Sequence, residues 1–582
     1  MPDASLVIRN VRVFDGEQVL PRTSVWIDDG HIVAIDAEAP PPAGAEIVDG
    51  GGRTLLPGLI DAHAHAHSGA DLEQAAVFGV TCELDMMGDP AFVASRRRRK
   101  PGTKPLAADL LGAGFAATPK GGHGTEYGGA VPTLDRPEDA AAFVAARAKE
   151  GSDYLKIVYD DGFGPIQFAR LDSPSLRAAI DAAKREDLLS VVHVGSAQEF
   201  RTVIEAGADG LAHLVLEGEI DAATVTLARE HGVFVTDTMP VLFGLCQPGR
   251  GAALAADPRL APYLWPAVAR ELSSSFELGD YAPSCTPVSR AAKQLHDAGV
   301  DLLASTDAPN PGTAHGVSMH DELALLVDAG LTPIAALAAA TSKPATRFGL
   351  DDRGRIRVGA RADVVLVAGD PTTDILATRD IVAVYKDGEA VPRERTRERV
   401  QKAYAEIERL RALPAPAGSE SGRVSDFDDG SSGAAYGSGW VASTDEIAGG
   451  SSTATIGVVK GGAAKSKHAL QIRGELTAAA GAIAWAGAMF MPGPSPMAAA
   501  NLSSKTKLVA WVRGDPGHYQ VMLLSGPMPA RVELEVGKAW RRVEIPLDRF
   551  DGVDTWALVG VLFAAVGEPR RFTLELDDVR IE

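Results

Sequence analysis

Histidines and one aspartate stand where short apolar segments of the sequence end. They are His63 and His65 after Leu59-Ile60-Asp61-Ala62, His193 after Val191-Val192, His213 after Leu211-Ala212, and Asp307 after Ala304-Ser305-Thr306. In an extended strand alternate side chains share a face, so His63 and His65 can both point to one ion. Imidazole and carboxylate ligands suit zinc or a similar divalent metal, and the pattern therefore predicts a metal site.

A lysine, Lys156, interrupts the apolar segment Tyr154-Leu155-Lys156-Ile157-Val158. Burying a bare ammonium group in such a strand would be costly. Once carboxylated by carbon dioxide, the side chain becomes a carboxylate that can bridge two cations. Lys156 therefore predicts a binuclear centre rather than a single ion.

Eight β-rich segments alternate with helical patterns, which predicts a (β/α)8 barrel with catalytic residues at the carboxyl ends of its strands. The segments are Leu55–His65, Val80–Met86, Leu106–Phe115, Tyr154–Tyr159, Leu188–Val194, Gly210–Leu214, Val233–Thr238 and Val300–Thr306. Apolar residues at helical spacing predict helices over Pro137–Glu150, Ser173–Glu186, Ala197–Ala206, Ala222–His231 and Val288–Ala298. Two long connections, 112–135 and 239–287, are predicted as lids or specificity elements.

Segments on both sides of the barrel read as short strands, and we expect them to complete one small β-sandwich domain. The predicted division is 1–56 with 354–392 for that domain, 57–353 for the barrel, 393–423 for a helix and linker, and 424–582 for an accessory β-sandwich. The chain thus combines a TIM-like α/β barrel with two β-rich domains.

Composition narrows the function classes. A net charge of -20 gives no reason to expect nucleic acid or an anionic membrane as a partner, and favours a small substrate. The three cysteines are widely spaced and predict neither a disulfide framework nor a thiolate zinc cluster. With no signal peptide pattern and no apolar run of about 20 residues, we expect a cytoplasmic protein.

The motifs resemble the amidohydrolase superfamily, in the branch with a carboxylated lysine, over about residues 5–392. The matching text includes Pro57-Gly58-Leu59-Ile60-Asp61-Ala62-His63-Ala64-His65, Ala208-Asp209-Gly210-Leu211-Ala212-His213, Ser305-Thr306-Asp307-Ala308 and Gly359-Ala360-Arg361-Ala362-Asp363. Within it, the chain looks most like the dipeptidase and imidazolonepropionase-like group. Residues 424–582 resemble the complex I intermediate-associated family, related to galactose-binding-like sandwiches, through Phe427-Asp428-Asp429-Gly430 and Trp511-Val512-Arg513-Gly514.

The resemblance implies two divalent metal ions, taken as zinc, in one centre. His63, His65 and Asp307 would hold the more buried ion and His193 with His213 the other, while Lys156, carboxylated by carbon dioxide, would bridge them. A hydroxide shared by the ions would attack an amide or peptide-like C–N bond, with Asp307 taking and returning the proton.

Several residues are candidates for contact with the substrate. His123, in Gly121-Gly122-His123-Gly124, would donate a hydrogen bond to the substrate carbonyl or its oxyanion. Tyr159 and His315 are further candidates, together with His67 and His320. Dipeptidases of this group often carry a tyrosine directly after the histidine of the fifth strand, whereas Val194 stands here, which puts a free substrate carboxylate in doubt.

The sequence leaves two other hydrolytic functions possible. A lactone or other ester hydrolase would use the same centre, and a mononuclear deaminase is disfavoured by Lys156 and by the lack of a His-x-x-Glu motif near His213. A non-enzymatic binding protein is disfavoured by the complete ligand set. The sequence leaves open the substrate, the native metal, the role of the last domain and whether the chain forms a homo-oligomer.

Overall fold

The structure is a computed structural model that describes residues 4–36, 40–97, 106–127, 131–477, 484–526 and 529–582. The chain divides into two compact units, Met1–Gln401 and Lys402–Glu582. Within the described residues, no helix has the length and apolar character needed to cross a membrane.

One mixed sheet of eight strands combines both flanking segments of the first unit. Its strands are Leu6–Phe14, Val19–Asp28, His31–Ile35, Glu46–Asp49, Thr54–Pro57, Val364–Val367, Ile381–Lys386 and Glu389–Ala390. The two segments join where Leu366 pairs with Leu55 in antiparallel register. The predicted pairing of the flanking segments is therefore confirmed, while its sandwich form stays a prediction.

The eight predicted barrel strands form two parallel sheets. The first contains Leu59–Ala64, Val80–Asp85 and Asp109–Gly112, and the second contains Tyr154–Val158, Leu189–His193, Gly210–Ala212, Phe234–Thr236 and Asp301–Leu303. Backbone contacts join the sheets at both ends, through parallel bridges between Ala64 and Ala308 and between Ala117 and Ile157. The carboxyl ends of these strands therefore meet on one face.

The predicted first strand, Leu55–His65, is two strands in the structure. Thr54–Pro57 belongs to the outer sheet and Leu59–Ala64 to the parallel one. Gly58 makes the change of sheet: its N–H donates to the Asp363 carbonyl at 2.7 Å. A Cβ there would lie 2.2 Å from the Thr81 hydroxyl oxygen, so a side chain would not fit. Thr81 and Asp363, which make this close approach, are distant from Gly58 in sequence. The local sequence pattern around Gly58 therefore does not predict the change of sheet.

Helices alternate with the parallel strands and follow them in the chain. They are Gly69–Val77, Pro90–Arg97, Ala140–Glu150, Ser173–Arg185, Ala197–Ala206, Ala222–His231, Met239–Cys246, Arg250–Ala255, Pro266–Ser273, Thr286–Asp297, Met319–Asp328, Pro333–Ala339, Ser342–Arg347 and Arg393–Arg411. All five predicted crossover helices are present, with ends that differ by at most a few residues. Ser196 shows why such ends are readable: its hydroxyl caps a helix whose Glu199 completes a capping box, and Gly207 ends it in the left-handed region.

The long connection 239–287 is closed by a disulfide between Cys246 and Cys285, whose Cα atoms lie 5.6 Å apart. The expectation of no disulfide is therefore wrong for this pair. The two cysteines are 39 residues apart, and only the return of the chain to the same point brings them together. Disulfides persist mainly in oxidising compartments, so the cytoplasmic location stays a prediction.

The second unit consists of two antiparallel sheets around one core. One sheet contains Arg423–Ser425, Thr453–Lys460, His468–Leu476, Lys507–Gly514, Arg541–Pro546 and Arg570–Ile581; the other contains Gly439–Thr444, Trp485–Met491, Tyr519–Leu524, Ala530–Glu533 and Gly560–Val566. Leu470 of the first sheet and Phe563 of the second belong to the same apolar cluster. Trp440 is buried there and donates its indole N–H to Ser425.

Candidate metal centre and substrate cavity

A cavity of about 740 Å³ opens at the carboxyl ends of the parallel strands. Every predicted metal ligand lines it, and so does the predicted substrate contact His123. The lining therefore contains His63, His65, His123, Lys156, His193, His213 and Asp307. The structure brings together residues that are up to 244 positions apart, as the strand-end argument predicts.

Three of these residues form a tight group at the first strand. The Oδ1 atom of Asp307 lies 2.9 Å from Nε2 of His65 and 3.4 Å from Nε2 of His63. Backbone pairing sets this distance, since the Asp307 N–H donates to the His63 carbonyl at 2.8 Å. One ligand atom from each residue lies within 4.8 Å of the other two, so the group could hold a metal ion.

His193 and His213 form the second group. Nδ1 of His193 faces Nε2 of His213 at 2.8 Å. The outer nitrogen of each ring is held by another residue: Nδ1 of His213 lies 2.7 Å from the Thr238 hydroxyl, and Nε2 of His193 lies 3.4 Å from an Asp160 carboxylate oxygen. Such outer contacts orient metal-binding imidazoles and determine which nitrogen faces the ion.

The rings of His63 and His65, in the first group, are also held by contacts at their outer nitrogens. Nδ1 of His63 lies 3.3 Å from the Thr236 hydroxyl, and Nδ1 of His65 lies 3.2 Å from the Met87 carbonyl. The Nε2 atoms are therefore the ones that face Asp307. Burial also lowers the pKa of His63, so its imidazole is neutral at pH 7, the form that binds metal.

Lys156, on the strand Tyr154–Val158, lies next to the first group. Its Nζ atom lies 3.5 Å from Nε2 of His63, and the side chain is buried. The rings of His63 and His213 are 4.7 Å apart, so the two groups are contiguous. Burial lowers the pKa of Lys156 to about 7, so a large fraction of the amine is neutral near pH 7 and nucleophilic enough to react with carbon dioxide.

His123 reaches the cavity from the long connection after the third strand. Its ring lies 5.1 Å from that of His193 and 4.9 Å from that of Phe168. Nδ1 of His123 lies 2.9 Å from a carboxylate oxygen of Glu126, whose other oxygen accepts the Gly124 N–H. The Glu126 carboxylate therefore lies beside Nδ1 of His123 rather than beside Nε2.

Comparison with known proteins decides the family, because the model of the amidohydrolase family matches residues 54–391. The chain belongs to the amidohydrolase family. It is 27% identical over 404 residues to an imidazolonepropionase of Mycolicibacterium smegmatis, covering 64% of this chain and 92% of that relative. It is 29% identical over 440 residues to an imidazolonepropionase of Anaeromyxobacter sp. (strain K), covering 67% and 96% respectively.

Solved structures agree with this family. A putative prolidase from Bifidobacterium longum matches with a TM-score of 0.54 and 23% identity, covering 69% of this chain and all (100%) of that one. A Xaa-Pro dipeptidase with bound methionine matches with a TM-score of 0.52 and 23% identity, covering 66% and 99%. At this identity the likeness concerns the fold: a TIM-type barrel with a β-rich domain. The prediction of a hydrolytic enzyme of this family is confirmed.

Two predicted substrate contacts of the amidohydrolase lie away from the cavity. The ring of Tyr159 is covered by the Arg170 guanidinium, 5.0 Å above it, and its hydroxyl lies 3.4 Å from that of Ser173. The strand stays regular as far as Val158, so a residue three positions after Lys156 points to the opposite face. Tyr159 is therefore not among the residues that line the cavity, and its substrate contact stays a prediction.

His315, too, is not among the residues that line the cavity, and its substrate contact stays a prediction. This side chain is buried, and its Nδ1 atom lies 3.0 Å from Glu83. Burial alone would lower the pKa of His315, but the Glu83 carboxylate raises it to about 9, so His315 is the positive partner of a buried acid. His320 is bound to Thr378 and to the Phe78 carbonyl. Among these candidates His67 does line the cavity.

The residues that hold the histidines were not among the candidates that the sequence offered. Thr236, Thr238, Asp160 and Glu126 are common polar residues in strand ends and loops, and no motif distinguishes them. Asp160 carried one usable signal, since it follows the Lys156 strand by two residues and so emerges at the same end of the barrel.

Proposed function

We propose that this amidohydrolase cleaves an amide or peptide-like C–N bond at a binuclear metal centre. The observation that carries the proposal is the position of Lys156, a buried amine adjoining two groups of histidines. A mononuclear deaminase would have no use for this lysine. Hydrolysis of a lactone or other ester would need the same residues. A screen of amide and ester substrates distinguishes it from amide hydrolysis.

The donor set fits two divalent ions, which we take to be zinc. His63, His65 and Asp307 would hold one ion, His193 and His213 the other, and carboxylated Lys156 both. Neutral imidazoles and carboxylates are the ligands that zinc prefers, and each histidine has an outer partner that fixes its ring. Ions bound there supply a water of lowered pKa and polarise the scissile carbonyl.

Asp307 would move the proton. Its side chain lines the cavity and is only 13% exposed, and Oδ1 lies against both histidines of the first group. The other carboxylate oxygen can accept a proton from the attacking water and later deliver it to the leaving nitrogen. Without that delivery the amine would have to leave as an anion, which makes amide cleavage slow.

His123 would stabilise the substrate oxyanion. A carboxylate oxygen of Glu126 lies 2.9 Å from Nδ1, and this contact orients the ring so that Nε2 could face the substrate. An N–H at Nε2 would then donate a hydrogen bond to the developing negative charge. Glu126 is therefore a positioning residue for His123.

For the rest of the chain we propose a closed eight-stranded barrel and a galactose-binding-like accessory module. The bridges from Ala64 to Ala308 and from Ala117 to Ile157 support closure. The two sheets of Lys402–Glu582 around one core support the second assignment.

The substrate class tests the proposed function directly. The zinc-loaded enzyme is offered N-acyl amino acids, dipeptides, aryl amides and lactones, and product amines and acids are quantified. We expect turnover of at least one amide that is lost on chelation and restored by zinc. Turnover of esters or lactones with none of any amide would overturn amide hydrolysis in favour of the ester alternative.

Replacing Asp160 by asparagine is expected to weaken metal binding at the second group. The carboxylate lies beside Nε2 of His193 and stabilises the proton there, so its loss removes the contact that directs Nδ1 to the ion. Loss of such a partner costs roughly 10- to 100-fold in metal affinity. Competition with a zinc chelator measures the effect. Asp161→Asn is the matched control, since Asp161 faces Arg170; an equal loss in both variants would contradict the assignment.

A further inference from the structure

Phenylalanines form much of the cavity wall. Phe115, Phe163, Phe168 and Phe276 all line it, and each is only partly buried. Single apolar side chains in contact with water are common, but a contiguous group of large ones commonly marks a ligand-binding surface. Their convergence on one cavity marks a binding surface for an apolar group.

The helix Met239–Cys246 adds an aliphatic wall. Leu242 and Leu245 of this helix line the cavity, and its last residue is tied to Cys285 by the disulfide. The helix is therefore anchored at its end, and the apolar wall is preformed. A cavity of about 740 Å³ is large enough for a drug-sized ligand.

Positive charge is scarce in this cavity. Among the lining residues that the structure describes, Lys156 is the only lysine or arginine, and it belongs to the metal centre. Of the acidic groups outside that centre, Glu126 faces His123, Asp160 faces His193 and Asp89 accepts the Ala91 N–H. A substrate carboxylate placed against the apolar wall would lose its hydration and find no lysine or arginine outside the metal centre among the described lining residues.

We propose that the substrate is an uncharged amide with a bulky aromatic or long aliphatic group and no free carboxylate. This inference rests on the proposed C–N hydrolysis and restricts its substrate. The apolar wall binds the bulky group, and the metal centre with His123 receives the scissile carbonyl. N-acyl amino acids and dipeptides are poor substrates because their carboxylate would have to be buried unpaired.

Chain length and charge of the substrate test the proposal. The probes are the 4-nitroanilides of acetic and hexanoic acid, and hexanoyl 4-aminobenzoate, which carries a carboxylate in place of the nitro group. With the zinc-loaded full chain, we expect kcat/KM to rise by about tenfold or more from acetyl to hexanoyl. The carboxylated anilide is expected to react at least about tenfold more slowly than the nitroanilide.

A variant with a positive charge in the cavity wall distinguishes the effect of the substrate carboxylate on binding from its effect on the leaving group. Phe276 is half-buried in the 239–287 connection, so Phe276→Arg places a guanidinium at the cavity without filling the core. The ratio of kcat/KM for carboxylated over neutral anilide is expected to rise at least about fivefold in Phe276→Arg. Phe276→Gln, the polar control, should leave this ratio unchanged and reduce both rates.

Failure of this inference differs from failure of the proposed function. Cleavage of dipeptides or N-acyl amino acids with no cleavage of the nitroanilides would overturn the inference and leave amide hydrolysis standing. An unchanged rate from acetyl to hexanoyl, or an unchanged ratio in Phe276→Arg, would also overturn it. Turnover of esters alone would remove the proposed C–N hydrolysis and this inference with it.

Discussion

Lys156→Ala is expected to lose nearly all activity together with part of its metal. The side chain is buried beside His63, and no other lysine or arginine among the described lining residues could replace it. Without its carboxylate, two cations would face each other with less anionic charge between them. Metal centres contribute several kcal/mol of transition-state stabilisation, so kcat/KM should fall on the order of a thousandfold or more.

Three measurements check this expectation. Metal analysis should fall from two ions per chain towards one or none, and kcat/KM is measured at saturating zinc. Carbon-13 NMR after incubation with labelled bicarbonate should give a carbamate signal in the parent enzyme and none in the variant. Lys149→Ala, an exposed position on the helix Ala140–Glu150, is the control. Full activity with unchanged metal content in Lys156→Ala would exclude the binuclear proposal.

The sequence predicts those parts of the site that depend on local patterns, such as an apolar segment that ends in a polar residue. His193 ends the strand Leu189–His193, and a buried apolar run followed by a polar residue is visible without any structure. Parallel strands then bring all such ends to one face. Helix boundaries are readable for a similar reason, because Ser196 and Gly207 act within one or two turns of the helix they limit.

The parts that sequence does not predict depend on pairs far apart in the chain. Thr238 holds His213 across 25 positions and Glu83 holds His315 across 232. Cys246 and Cys285 meet only because a long connection returns to its starting point. Each pair consists of ordinary residues whose partner is chosen by the fold, so local periodicity contains no sign of it.

His315 illustrates the consequence for function. A histidine that follows the proposed proton-transfer residue Asp307 by eight positions is a reasonable candidate for a substrate contact, yet here it pairs with a buried carboxylate. Glu83 is fully buried on the strand Val80–Asp85, where an unpaired carboxylate would destabilise the barrel. His315 therefore supports the fold next to the site, and proximity in sequence is a poor guide to which residues touch the substrate.

Asp307→Asn tests the proton-transfer role apart from metal binding. The amide is nearly isosteric with the carboxylate and retains one oxygen that can face His63 and His65, so most of the metal should stay bound. It cannot accept a proton from water or return one to the leaving amine. General acid–base groups contribute roughly 10²- to 10⁴-fold, so we expect kcat to fall about a thousandfold with KM little changed.

The comparison with Asp301, at the start of the strand that precedes Asp307, makes this result specific. Asp301 lies at the opposite end of the strand Asp301–Leu303, where it pairs with Arg347 away from the cavity. Asp301→Asn should therefore change stability more than kcat. A kcat for Asp307→Asn within tenfold of the parent value, at full metal content, would assign the proton to another group. Since a metal-activated ester needs little help to expel its alcohol, the loss should be larger for anilides than for any ester the enzyme cleaves.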